Sequence, residues 1–118
     1  MNYNGAMAER AAAAYMESHK YKLLDFNYYT PYGELDLVFQ KKKLLVFVEV
    51  KARNINNGLP PRVYVNYDKQ KKIIKASQIF IKAKRLENLQ PRYDICEVYL
   101  ENNTIKSVNH LENAFQLD

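Results

Sequence analysis

The stretch GELDLVFQKKKLLVFVEVKAR, residues 33–53, decides the fold of this 118-residue chain. From Glu34 to Phe39 charged and apolar residues begin to alternate, the period of a strand whose two faces meet different surroundings. Leu44 to Arg53 reads as a second strand, with Val46, Phe47, Val48 and Val50 at its centre. Lys41-Lys42-Lys43 lies between them and makes the pair a hairpin. Leu35, Leu37 and Phe39 line one face of the first strand, and Val46, Val48 and Val50 one face of the second. Both sets seek the core, so they belong on the same side of the sheet. Two registers satisfy that demand. A turn centred on Lys42-Lys43 puts Leu37 opposite Val48 and Asp36 opposite Glu49, with Cβ atoms about 5 Å apart. A turn centred on Lys41-Lys42 slides Glu34 opposite Glu49 instead. In either case Asp36, Glu49 and Lys51 come to one side.

Working outward, Met7 to Ser18 is predicted helical by its alanine run, with a stripe through Ala8, Ala11 or Ala12, Tyr15 and Met16. Lys22 to Asn27 is a short extended segment, and Thr30-Pro31-Tyr32-Gly33 is a turn. Residues 54–66 hold Asn-Asn-Gly and Pro-Pro and read as a loop. Tyr67 to about Glu87 reads as a basic helix with Ile73, Ala76, Phe80 and Ala83 at helical spacing and Asp68 as its cap. Arg92 to Glu101 and Ile105 to His110 are strands joined at Asn102-Asn103. The expected order is αβββαββ: an α/β domain around one mixed sheet. With no repeats and no long linker, residues 1–118 are expected to form one domain.

Composition removes several classes. A hydrophobic fraction of 47% argues against disorder, and the single Cys96 excludes a disulfide framework or a cysteine-clustered zinc site. Cys96 itself reads as a small buried apolar residue. His19 and His110 are isolated, without ligand spacing, and read as structural or surface residues. No apolar run approaches the ~20 residues that span a bilayer, and no secretory signal is visible, so a cytoplasmic, non-membrane protein is expected. The net charge of +5 hides a gradient: residues 41–85 carry thirteen basic and two acidic residues, a net of +11 between two acidic flanks. Such a block is either a polyanion footprint or a solvated lysine face. Lys71, Lys75 and Lys82 share one face of the second helix, and Lys69 and Gln70 stand at its start. Arg53 and, in the 54–66 loop, Arg62 and Tyr64 add further candidate backbone contacts. Tyr28, Tyr29 and Tyr32 cluster before Glu34 and either pack at a core edge or stack on unpaired bases.

Two adjacent carboxylates on a sheet repel one another. They persist if solvated, if one is protonated, or if a cation neutralises them. Asp36 and Glu49 therefore read either as a salt-bridge ladder with Lys51 and Arg53 or as hard oxygen ligands for Mg²⁺ or Mn²⁺. In the second reading Lys51 orients an attacking water or counters developing charge, which phosphodiester hydrolysis requires.

Gly33-Glu34-Leu35-Asp36, the step of thirteen residues to Glu49, and Glu49-Val50-Lys51 resemble the PD-(D/E)XK nuclease motif. The wider pattern resembles the YraN-like family of small bacterial proteins. It includes Glu9 in an alanine-rich helix, Tyr21, Asn27, Lys69, Arg92-Tyr93-Asp94 and Asn113-Ala114-Phe115. The resemblance implies a restriction-endonuclease-like core and an endonuclease acting on DNA, with branched or flapped substrates in repair or recombination. It implies that Asp36, Glu49 and the Val50 carbonyl hold Mg²⁺, that Lys51 serves the water, and that Glu9 supports the site from the first helix. Related archaeal Holliday-junction resolvases act as dimers, so a homodimer is the implied assembly. Ala8 stands where the family often has glycine. The alternative function is a non-catalytic nucleic-acid-binding module with a vestigial metal site.

Overall fold

A computed structural model describes residues 3–55 and 65–117. Its elements are α1 (Tyr3–Ser18), β1 (Lys22–Thr30), β2 (Gly33–Lys41), β3 (Leu44–Asn54), α2 (Tyr67–Lys84), β4 (Gln90–Glu101) and β5 (Thr104–Phe115). The order αβββαββ is the one the sequence predicts. The strands form one sheet in the order β1-β2-β3-β4-β5. β1, β2 and β3 are an antiparallel meander, β3 and β4 run parallel, and β5 returns antiparallel to β4. A parallel pair cannot be joined by a tight turn, and α2 lies in the crossover between β3 and β4. This mixed sheet with a helix packed against each face matches a restriction-endonuclease-like fold.

The register resolves the hairpin. Leu37 pairs with Val48 and Lys41 with Leu44, so the turn is Lys42-Lys43, with Lys42 in the left-handed region (φ 56°). Asn102 and Asn103 both have positive φ (51° and 62°), the conformation that a two-residue hairpin turn demands and that asparagine tolerates. Gly33 (φ 137°) closes the β1–β2 turn, where the Thr30 hydroxyl donates to the Gly33 carbonyl at 2.8 Å.

Each face of the sheet has its own core. Ala8, Ala12 and Met16 of α1 pack on Leu37, Phe39, Val46, Val48, Cys96 and Val98. Ile73, Ile74, Ala76 and Phe80 of α2 pack on Val38, Leu45, Phe47, Tyr93 and Ile95. Cys96 is fully buried, as expected, and burial pushes its thiol up to about 12. Leu35 departs from the expected face: it packs on the α2 side, opposite Tyr28, while Leu37 packs on the α1 side. The faces exchange beside Asn27, whose left-handed backbone (φ 49°) interrupts the pleat.

Three further expectations are corrected. The cap of α2 is Asn66, whose side chain accepts the Lys69 N–H at 2.8 Å; Asp68 sits in the first turn and faces Lys71 at 3.9 Å. An asparagine oxygen one position before the helix meets that donor directly, so Asp68 is left to complement the helix dipole. The helix ends at Lys84, because Arg85 adopts the left-handed conformation (φ 56°) that terminates it. Ala83 is consequently exposed near that end. β5 continues past His110 to Phe115, since Tyr93 pairs with Phe115 and stacks on its ring at 5.5 Å.

Candidate metal and nucleic-acid site

The β2–β3 ladder stops where its acids begin. Leu37↔Val48 is its final pair, and beyond it the Val50 N–H donates to Asp36 Oδ2 at 2.9 Å. A side chain thus replaces the carbonyl that would continue the ladder. Asp36 and Glu49 meet at this opening, as the Lys42-Lys43 register requires. Glu49 is buried (6% exposed), and Lys51 Nζ and Lys69 Nζ approach its Oε2 at 3.6 and 3.7 Å. The first comes from the same strand and the second from the first turn of α2. The ion pair of Glu49 with Lys51 that the ladder reading expects is present, but Glu49 is buried and Asp36 half-buried rather than facing solvent.

Burial is the main force on Asp36. It raises the carboxyl to about 7, reinforced by the charge of Glu49 and opposed by the Val50 N–H. Glu9 of α1 is likewise raised to about 7, by burial and then by the charges of Asp36 and Glu34. With its amide oriented to satisfy both neighbours, Asn27 donates to Glu9 Oε1 at 3.0 Å and to Glu34 Oε1 at 2.7 Å. Glu9 therefore approaches Asp36 from α1, and Asn27 holds it beside Glu34. Ala8 is buried (1% exposed) against the sheet and leaves the following Glu9 at the site's edge.

The donor set fits a hard divalent cation in chemistry. Carboxyls whose protons are held towards neutral pH by burial, and then by one another's charge, are groups that a cation would discharge. Mg²⁺ commonly uses only one or two carboxylates and fills its octahedron with water and substrate oxygens. Among the described residues, no group of three or more His, Cys, Asp or Glu side chains is assembled closely enough to hold an ion unaided.

The other candidate residues divide. Gln70 is at the start of α2 but its amide donates to the Val65 carbonyl at 2.8 Å, which ties the helix to the segment before it. Lys71 and Lys75 are exposed and rest over tyrosine rings, Lys71 over Tyr67 at 4.8 Å and Lys75 over Tyr32 at 5.2 Å. Arg53 is exposed at the end of β3, paired with Tyr99 of β4. Arg62 and Tyr64 lie outside the described residues. Tyr28 packs edge-on against Phe80 at 5.0 Å, the core-edge role, whereas Tyr29 is 77% exposed.

Two buried acids, Glu97 and Asp94, hold roles that the sequence does not assign to them. Glu97 is buried, pairs with Lys51 in the parallel β3–β4 ladder, and accepts Asn109 Nδ2 at 2.7 Å. On the α1 face, Asp94 is fully buried and accepts Arg92 Nε and Nη2 at 2.9 and 2.7 Å and the Asn113 N–H at 2.9 Å. His110 Nε2 lies 2.7 Å from Asp94 Oδ2, which makes His110 the structural residue expected of it, although buried. The available signal was a charged residue inside the apolar run Tyr93-Asp94-Ile95-Cys96, which demands a partner.

Residues 8–98 match the model of the uncharacterised protein family UPF0102, the YraN-like family. A UPF0102 protein of Caldanaerobacter subterraneus subsp. tengcongensis is 44% identical over 114 residues, covering 94% of this chain and 93% of the relative. One from Clostridium beijerinckii is 42% identical over 97% of this chain and 94% of its own length. One from Syntrophotalea carbinolica is 40% identical over 97% and 92%.

Proposed function

We propose that this chain, which belongs to the uncharacterised protein family UPF0102, is a divalent-cation-dependent endonuclease that hydrolyses DNA phosphodiester bonds. The observation that carries the reading is the half-buried Asp36 beside the buried Glu49, with Lys51 and Lys69 against Glu49. The resemblance to PD-(D/E)XK nucleases supplies the reaction class, and branched or flapped DNA is the substrate it suggests.

Asp36 and Glu49, with the Val50 carbonyl, would hold Mg²⁺ or Mn²⁺. Such an ion, when bound, polarises a phosphoryl oxygen and makes its water more acidic. Lys51 orients the attacking water and counters the charge that grows on the phosphate. Lys69 offers a second cation to the same phosphate once Glu49 is engaged. Glu9 and Asn27 define the rim on the α1 side. Lys71 and Lys75 extend the positive surface along α2 and hold the flanking backbone without reading sequence. No helix among the described residues is long and apolar enough to cross a membrane.

The pairing of Glu49 with two lysines favours a second reading, a nucleic-acid-binding module in which those lysines stand permanently in place of a cation. Thermal unfolding against pH, with and without Mn²⁺, separates the two. The carboxyls of Asp36 and Glu9 are raised, so their contribution is full below the ordinary carboxylate range, about 4. It is lost as pH rises towards about 7. Without metal, stability should therefore fall across that window, and Asp36→Asn should flatten most of the fall. Millimolar Mn²⁺ should restore the wild type at pH 8 and leave Asp36→Asn unmoved. Equal responses of the two proteins to Mn²⁺, or none in either, would favour the module.

A further inference from the structure

A cavity of about 400 Å³ opens between α1 and β1, lined by Ala6, Glu9 and Arg10 of the helix and Leu23, Phe26 and Asn27 of the strand. Its volume lies within the range of about 300–1,000 Å³ usual for small-ligand sites. Its walls are mostly apolar, and its polar groups are a carboxyl, an amide and a guanidinium. Phe26 leaves 60% of its surface exposed, although it stands within a strand and pairs with the buried Leu37. The cavity borders the acidic site, sharing Leu37 with the small space beside Asp36 and Glu49. Glu9 and Asn27 belong to both, and Glu9 lies close enough to Asp36 to feel its charge.

A flat ligand with apolar faces and a hydrogen-bonding edge suits this lining. Phe26 offers a ring for stacking, Glu9 and Asn27 offer groups for the edge, and Arg10 offers a cation for an attached phosphate. A base within a duplex cannot enter a slot between a helix and a strand unless it leaves the stack. We propose that this cavity receives one unpaired nucleobase of the strand being cut, next to the scissile phosphate. This assignment rests on the nuclease reading of Asp36 and Glu49 and narrows it. The enzyme would select DNA in which a nucleotide beside the cut is already free, as at a flap or a branch.

The test uses the full chain and DNA carrying 2-aminopurine in a single-stranded flap at the junction. Binding is measured in EDTA and cleavage in Mn²⁺. Stacking in the cavity should quench the probe on binding. Phe26→Ala removes the stacking ring, and Ala6→Phe fills the cavity while leaving Glu9 and Asn27 themselves in place. Each should abolish the quenching, weaken flap binding about tenfold and leave binding to linear duplex unchanged. Unchanged quenching and flap affinity in both variants, with cleavage retained, would overturn the base site and leave the nuclease standing. Quenching lost in both variants of a protein that cuts no DNA would support the base site and remove the nuclease. Free 2-aminopurine nucleotide binding as tightly as the flap would overturn the strand assignment in favour of a mononucleotide site.

Discussion

Lys51→Ala is expected to lower cation-dependent cleavage about 10²- to 10⁴-fold, the usual contribution of a positioned proton-transfer group. The fold and Mn²⁺ binding should stay as in the wild type. Lys51 is one-third exposed on a strand paired with β4 on its other side, so its removal opens no core cavity. Glu49 keeps Lys69 at 3.7 Å and is not left as an uncompensated buried charge. The loss should therefore appear in kcat, read by initial rates under saturating Mn²⁺. Lys51→Arg should recover little, because a planar guanidinium cannot reproduce a compact ammonium beside a water. Wild-type rates from Lys51→Ala would remove this lysine from the chemistry.

The largest effect on stability should come from the opposite face. Asp94→Ala is expected to cost about 3–5 kcal/mol, the scale for removing one member of a buried, hydrogen-bonded charge cluster. Among the described residues it would leave the side chain of Arg92 with the hydrogen bond to Tyr21 Oη, at 2.7 Å, and would leave His110 without its carboxylate partner. Burial by itself would push the Asp94 carboxyl up, but the bonds from His110, Arg92 and the Asn113 N–H overcome it and hold the carboxyl below its ordinary value. A depressed carboxyl contributes stability above the unfolded range, about pH 4, and loses it as pH falls through the folded value. The penalty of Asp94→Ala should thus be greatest at neutral pH and shrink in acid. Urea unfolding of both proteins at pH 7 and at about pH 3 reads this directly. A penalty under about 1 kcal/mol at pH 7 would show that the cluster is not a structural centre.

What the sequence made legible follows from where the constraint is local. Period-two alternation in β2 and β3 has to place its apolar sets in a core, and of the two registers this left open the structure takes the one that brings Asp36 to Glu49. Asn102-Asn103 announces its turn because few other pairs accept two positive φ values. Lys69 could be singled out because the first turn of a crossover helix returns to the end of the strand it follows. Asp68 is not the cap of α2 because Asn66, two residues earlier, carries an equally suitable oxygen, and the backbone geometry selects it. Leu35 falls on the face opposite to Leu37 because one left-handed residue in the neighbouring strand exchanges the faces, which no alternation pattern records. The Asp94 cluster and the Glu97–Asn109 contact join β4 to β5 and, through Tyr21, to the segment after α1. Apart from Arg92, two residues before Asp94, their partners are far apart in the chain, and no spacing reveals them.

The proposed function stands on Asp36 and Glu49 forming a cation-dependent cutting site. A panel of linear, flapped, gapped and four-way DNA substrates in Mn²⁺, comparing wild type with a folded Asp36→Ala protein, tests it most directly. The expected result is cleavage of the flapped or four-way DNA by the wild type, abolished by EDTA and absent from Asp36→Ala. Equal cleavage by the two proteins, or no cleavage of any substrate by a folded wild type that binds them, would contradict it.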